Sequence, residues 1–177
     1  GVAFVFQRIG ENSWDDGTKL VPADGASGDQ FGQAVGMDGD YVAVGARDNS
    51  HNGHMSAGSV YVFLRTGATS WDGGTKITAP DPDAQDFLGI SVAIEGQKLI
   101  AGANGADDTA QNSGSTYLFR RTGTNSWDSG SKIVPSEGSD SDEFGVDVGM
   151  ATDYGIVGDR FDDDEGQSSG SAYAIEF

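Results

Sequence analysis

No cysteine occurs among the 177 residues, which excludes thiol catalysis, zinc–thiolate centres and disulfides. Histidine is nearly absent too: His51 and His54 share one His-Asn-Gly-His loop, and with no third ligand at a recognisable spacing they read as an exposed loop. Basic residues are scarce, 10 Lys and Arg against 28 Asp and Glu, a formal net charge of −18 and a pI near 4.1. Phosphate backbones are held by Lys and Arg, so nucleic acid is excluded as a partner. A surface this acidic is also repelled by anionic lipid. No apolar run approaches the roughly 18 residues of a spanning helix, so no direct membrane insertion is expected here. P-loop, H-E-x-x-H, dinucleotide, N-x-S/T and Arg-Gly-Asp strings are all missing. Gly166-Gln167-Ser168-Ser169-Gly170 matches G-x-S-x-G by letter, but that elbow needs a strand before it and a helix after it. With no nucleophile and base in plausible partnership, the chain is expected not to be an enzyme.

Glycine, by contrast, is abundant: 28 residues against 4 prolines point to many tight turns. No stretch holds apolar residues at helical spacing over three turns, whereas short β-branched and aromatic runs bounded by Gly, Asp, Asn and Ser recur throughout. The chain is therefore read as all-β. An aromatic-x-Phe string followed by Ser-Trp-Asp appears three times, with Trp14, Trp71 and Trp127 as markers. Copies start at Gly1, Gly58 and Gly114, spaced 57 and 56 residues, giving repeats 1–57, 58–113 and 114–169 and a partial fourth, 170–177. Periods of this size mark solenoids, propellers or arrays, whose units bury their apolar faces only against neighbours. The whole of 1–177 is taken as a single repeat array.

One copy accommodates four strands: Val60–Leu64, Thr75–Thr78, Gly89–Ile94 and Lys98–Gly102, the last two as a hairpin. Val60–Leu64 is apolar on both faces, so it is expected to be covered on both sides. Thr75–Thr78 is more polar and suits an outer edge, with Lys76 as a blunting charge. Four antiparallel strands, small residues on the inner ones and a fixed repeat describe a β-propeller blade, with a β-solenoid as the competing architecture.

Phe31-Gly32 followed by Val44-Gly45-Ala46, Phe87-Leu88-Gly89 followed by Ala101-Gly102-Ala103, and Phe144-Gly145 followed by Val157-Gly158-Asp159 resemble the FG-GAP repeat. That repeat is the blade of the seven-bladed propeller at the head of integrin α subunits and of many bacterial and algal surface proteins. The resemblance covers the whole chain and implies a blade order: the Phe-Gly strand innermost, the Gly-Ala-Pro strand second, the Val-Tyr-Val type strand third and another outside. Two departures stand out. Arg47, Asn104 and Arg160 replace the proline of Gly-Ala-Pro, and Leu88 reads as an insertion between Phe87 and Gly89. In that order the chain holds two whole blades and two partial ones. Propellers close with about four to eight blades, so three periods are expected to be part of a larger propeller, completed by more of the same chain or by another subunit.

The acid is mainly Asp, 22 against 6 Glu, and lies mostly in turns, where Asp bonds its own backbone. Calcium wants six to eight oxygens, often from one short loop. The resemblance places that ion in the hairpin between the first two strands of a blade. Here those turns, Met37–Asp40, Ile94–Gln97 and Met150–Asp153, are too short and lack the D-x-D-x-D-G pattern. The other acidic loops follow the second strand, at Asp48 and Asn49, at Asp107 and Asp108, and at Asp162, Asp163, Asp164 and Glu165, the last being the densest. A second group precedes Phe-Gly: Asp24 and Asp29, Asp83 and Asp86, and Asp140, Asp142 and Glu143. Calcium is carried as the one candidate cofactor, against solvated turns. The recurring Trp is expected to pack across the hairpin between third and fourth strands; glycan stacking is the competing role. The resemblance implies a binding or adhesion module of a cell-surface or secreted protein, meeting a protein or glycan partner. A scaffold propeller in a larger secreted or organelle enzyme or assembly is the second reading.

Overall fold

The computed structural model describes residues 1–177 and is built from strands, turns and bridges, with no helix. Strand β1 (Ala3–Val5) will be joined by a later partner; β2 (Arg8–Gly10) and β3 (Ser13–Trp14) form a small hairpin, and β4 (Thr18–Leu20) returns to pair antiparallel with β1. A four-stranded antiparallel meander follows: β5 (Phe31–Asp38), β6 (Tyr41–Ala46), β7 (Ser59–Leu64) and β8 (Thr75–Ile77). The second meander is β9 (Val92–Glu95), β10 (Lys98–Ala103) and β11 (Ser115–Gly123), with β12 (Ser126–Trp127) on the far end of β11 and β13 (Ser131–Ile133) along its near end. Finally β14 (Asp147–Met150), β15 (Tyr154–Asp159) and β16 (Ser171–Glu176) make a three-stranded sheet. These are propeller blades of antiparallel strands, set in sequence order and not closed into a ring.

Apolar faces decide the stacking. On β7, Val60 and Val62 belong to one buried cluster, with Leu88, Val92, Leu99, Tyr117 and Phe119 of the next sheet. Tyr61 and Phe63, on the opposite face, belong to another, with Ala3, Leu20, Phe31 and Val44. The third strand is thus a wall between two cores, which is why neither of its faces is polar. Each side chain of this size contributes about 1.5–3 kcal/mol on burial. On β10, Leu99 and Ala101 face one way and Ile100 the other, against Phe144 and Val157.

Ser-Trp-Asp gains a physical role. Oδ1 of Asp15, Asp72 and Asp128 accepts from the backbone N–H of Gln7, Leu64 and Arg120 at 2.8, 3.0 and 2.9 Å, and from Gly17, Gly74 and Gly130 two residues on. In every copy this Asp clamps the turn that leads from third to fourth strand. Trp71 and Trp127 pack on the two main clusters. Trp14 differs: it is 61% exposed.

Two expectations are corrected. The strand read as Gly89–Ile94 is only Val92–Glu95, because Phe87 and Gly89 both have positive φ, 62° and 89°, and the chain there turns from one sheet toward the next. Phe87 is also not the counterpart of Phe31 and Phe144. Leu88 is: it bridges Gly58 as Phe144 bridges Gly114, and both are fully buried. Phe87 matches Gln30 and Glu143, which share its left-handed φ (52° and 63°). A residue in that conformation turns its side chain out of the strand plane, so Phe87 lies half-buried beneath the Arg47 guanidinium, 4.6 Å from its ring centroid. Leu88 therefore replaces a phenylalanine, and nothing is inserted.

Candidate functional site

Two kinds of loop gather on one rim: those between second and third strands, and those entering each first strand. Backbone bonds tie them together, with Asp48, Gly105 and Phe161 N–H groups donating to the carbonyls of Asp29, Asp86 and Asp142 at 3.3, 3.2 and 3.2 Å. Each of those aspartates is buried. Each also turns its carboxylate back on its own loop, accepting from Ala26, Asp83 and Ser139 N–H groups at 2.8, 2.6 and 2.5 Å. The acidic group before Phe-Gly is in this part a set of turn clamps. Its exposed members serve otherwise: Asp24 accepts from Lys76 Nζ at 2.7 Å and from the Tyr61 hydroxyl at 2.7 Å. Lys76 is thus more than a blunting charge; it ties the outer strand to the preceding loop.

The candidate metal residues divide. Asp107 Oδ1 accepts from Asn112 N–H at 2.6 Å. Asp108 accepts from the Ser115 hydroxyl and from Lys132 Nζ, the latter at 2.6 Å. Asp162 is buried, with Oδ1 taking Asp164 N–H at 2.9 Å and Oδ2 taking the Tyr173 hydroxyl at 3.0 Å. The Asp164 N–H bond holds its carboxyl below the ordinary range. Asp163 and Asp164 are exposed, and the Asp162 charge pushes Asp164 upward. No three His, Cys, Asp or Glu groups stand as a ready-made metal cage. His51 Nε2 donates to the Gly58 carbonyl at 3.0 Å and closes its own loop, whereas His54 Nδ1 lies 3.3 Å from Asp83 in the loop that enters the next sheet. Burial pushes His51 down.

Asp159, read only as the end of a Val-Gly-Ala type strand, joins this region unannounced. It is 1% exposed and its Oδ1 has no hydrogen-bond partner. Burial first, then the charges of Asp142, Asp162 and Asp164, push its carboxyl up to about 7. The available signal was register: the same position holds Ala46 and Ala103 in the other copies.

Two of the concavities bear on binding. A polar cleft of about 620 Å³ lies on the rim where the loops of the β5–β8 sheet meet those entering the β9–β13 sheet, lined among others by Arg47, Asp48, Gln85 and Phe87. An apolar groove of about 900 Å³ runs between β1 and β5, with Phe4, Phe6, Trp14, Val35 and Met37 on its walls. No helix is long and apolar enough to cross a membrane.

A comparison with curated proteins finds no match. The FG-GAP repeat model, however, matches residues 14–63, 71–119 and 127–175, one stretch for each recurrence of the Trp-marked turn and the sheet that follows it. On that match and on these antiparallel sheets, the chain belongs to the FG-GAP repeat family.

Proposed function

We propose that the chain is a non-catalytic binding or adhesion module of a cell-surface or secreted protein, and that its loop rim meets a protein or glycan partner. The observation that carries this reading is the rim cleft between the β5–β8 and β9–β13 sheets. Its walls are loops rather than core strands, and loops on a rigid scaffold are where binding chemistry concentrates. Arg47 over Phe87 offers a cation beside an aromatic face, flanked by Asp48 and Gln85 as hydrogen-bonding groups. That mix of one aromatic surface and several polar groups suits a sugar or a polar peptide segment. FG-GAP membership supports an interaction or scaffold module, and such repeats are typical of extracellular domains.

The test is biolayer interferometry of the chain against a panel of soluble glycans and extracellular proteins. Saturable binding to a panel member, weakened about tenfold by Arg47→Ala while the melting temperature holds, is the expected result. Absence of saturable binding to every member overturns the reading. A scaffold role within a larger enzyme or assembly is the second reading, favoured by the clamped turns and by sheets that interlock through their backbones.

A further inference from the structure

The two ends of the array are unfinished in complementary ways. At the start, β1 has β4 on one edge and no strand on the other, whereas its counterpart β7 lies between β6 and β8. The apolar groove between β1 and β5 is therefore the place of a first and second strand. Phe4 and Phe6 correspond to Tyr61 and Phe63, whose rings Phe31 meets edge to face at 5.6 and 6.0 Å. No such ring covers Phe4 and Phe6, and both are exposed. Val35 and Met37, across the groove, are exposed as well, while their counterparts Val92 and Ile94 are buried. At the far end, β14, β15 and β16 supply a first, second and third strand without a fourth. Ile156 is exposed there, where its counterparts Ala43 and Ile100 are wholly enclosed.

Backbone contacts between blades carry the match further. Cβ atoms placed on Gly89 and Gly145 would lie 3.1 and 3.2 Å from the Cα atoms of Gly45 and Gly102. In each case a first-strand glycine packs on the second-strand glycine of the preceding blade. Gly32 is the first-strand glycine left over: a Cβ there meets the Val2 carbonyl oxygen at 2.8 Å but no second-strand glycine. Gly158 is the second-strand glycine left over, its nearest neighbours being Asp147 and Val146 of its own blade, at 3.6 Å and beyond. The groove lacks one half of this contact, and the other end of the array carries it.

We propose that the groove between β1 and β5 is a docking slot for the β14–β15 hairpin of a second molecule of this chain. Gly158 of the incoming hairpin meets Gly32, and Ile156 closes over Val35 and Met37 as Ile100 packs with Val148 and Met150. Since β1 and β16 are both third strands, β1 takes the place of β16 along β15. Phe4 then stands opposite Val157, where Tyr173 stands in the separate molecule, and receives the edge of Phe144 that Tyr173 receives at 5.4 Å. The exchange remakes the ladder it breaks, which is why strand swapping is a low-cost route to a dimer. Each molecule keeps the β5–β8 and β9–β13 blades whole and shares one blade at either end, so a pair holds six, inside the range of about four to eight for closed propellers. The slot lies between sheets and off the loop rim, and it does not depend on the binding role above.

The experiment is sedimentation equilibrium of the unaltered chain over rising concentration, in about 0.15 M salt so that the repulsion between two molecules of net charge −18 is screened. The mass is expected to climb from 18.3 kDa to twice that value. Acrylamide quenching of Trp14, on the slot wall, is expected to fall as it does. Phe4→Asp spoils the slot and Gly158→Ala spoils the hairpin. Phe4 is exposed and a Cβ on Gly158 has room in the separate molecule, so both variants are expected to keep the melting temperature of the dilute chain and to associate at least about tenfold more weakly. Mixed in equal amounts they retain one intact junction, and the mass of two molecules is expected to return. A chain that stays at 18.3 kDa at every concentration overturns the proposal and leaves the groove to a further repeat of its own polypeptide. A Gly158→Ala variant that pairs as well as the unaltered chain overturns it too, since two grooves would then lie face to face, as does a mixture that fails to pair.

Discussion

Gly45 of one sheet meets Gly89 of the next so closely that a Cβ built on Gly45 lies 1.9 Å from the Gly89 carbonyl oxygen. The contact recurs one sheet on, where a Cβ on Gly102 lies 1.9 Å from the Gly145 oxygen. Gly89 adds its own demand, since its φ of 89° is strained for any side chain. The glycine of the second strand in one blade and the glycine after the apolar anchor in the next are therefore two halves of one backbone socket.

Gly45→Ala and Gly102→Ala are expected to cost about 3 kcal/mol or more each, because the obstacle is backbone that must move with its sheet. Gly158→Ala is the control: its nearest neighbour is 3.6 Å away and its φ is not in the left-handed region, so a change within about 0.5 kcal/mol is expected. Urea unfolding of the three variants decides it, and equal losses at all three positions would sink the socket account.

Much of the fold was legible because strand composition and a repeat period reinforce each other; β7 follows from a β-branched and aromatic run apolar on both faces, and β11 and the multi-stranded sheets from the repeat. The sockets were not, since Gly45 and Gly89 lie on different sheets and no local pattern links them. Leu88 was hidden for another reason: Phe87 matched the motif by letter while the backbone placed its neighbour in the core. Asp159 was masked in the same way, an acid inside a strand whose copies end in alanine. At the rim, acidic density was visible, but which carboxylates clamp turns depended on bonds such as Ala26 N–H to Asp29.

That register makes a second prediction. Leu88→Ala empties a fully buried site and is expected to cost about 2–5 kcal/mol. Phe87→Ala loses a half-buried ring and its Arg47 contact, about 1 kcal/mol. If chemical denaturation ranks Phe87→Ala as the more damaging, the assignment of Leu88 as the core anchor is wrong.

Lys132 links the outer strand of its sheet to two carboxylates, Asp81 at 2.8 Å and Asp108 at 2.6 Å, with its own side chain only 22% exposed. Burial raises Asp81, but bonds from Lys132 and Tyr117 outweigh it and leave the carboxyl below its ordinary 3.8. A depressed carboxylate stabilises the fold above its unfolded pKa, and that contribution fades as pH falls through the folded value. Lys132→Met is thus expected to cost about 1 kcal/mol at neutral pH, discounted for the exposure of Asp81. The gap to the unaltered chain should close as pH falls below the ordinary carboxylate value of 3.8 and through the depressed one. A gap that stays constant as the carboxylate protonates would show that the ion pair is not its source.

The tryptophans supply the last test. Trp71 and Trp127 rest against buried clusters, whereas Trp14 is 61% exposed on the wall of the apolar groove. Acrylamide should quench mainly Trp14, so Trp14→Phe is expected to lower the quenching constant and leave a bluer spectrum. Trp71→Phe and Trp127→Phe should do the opposite, removing shielded emission. Those two also thin the packing over β7 and β11 and are expected to cost about 1–2 kcal/mol, with Trp14→Phe within about 0.5 kcal/mol of neutral. If Trp14→Phe leaves quenching unchanged, the indole is covered in solution and the groove it lines is occupied.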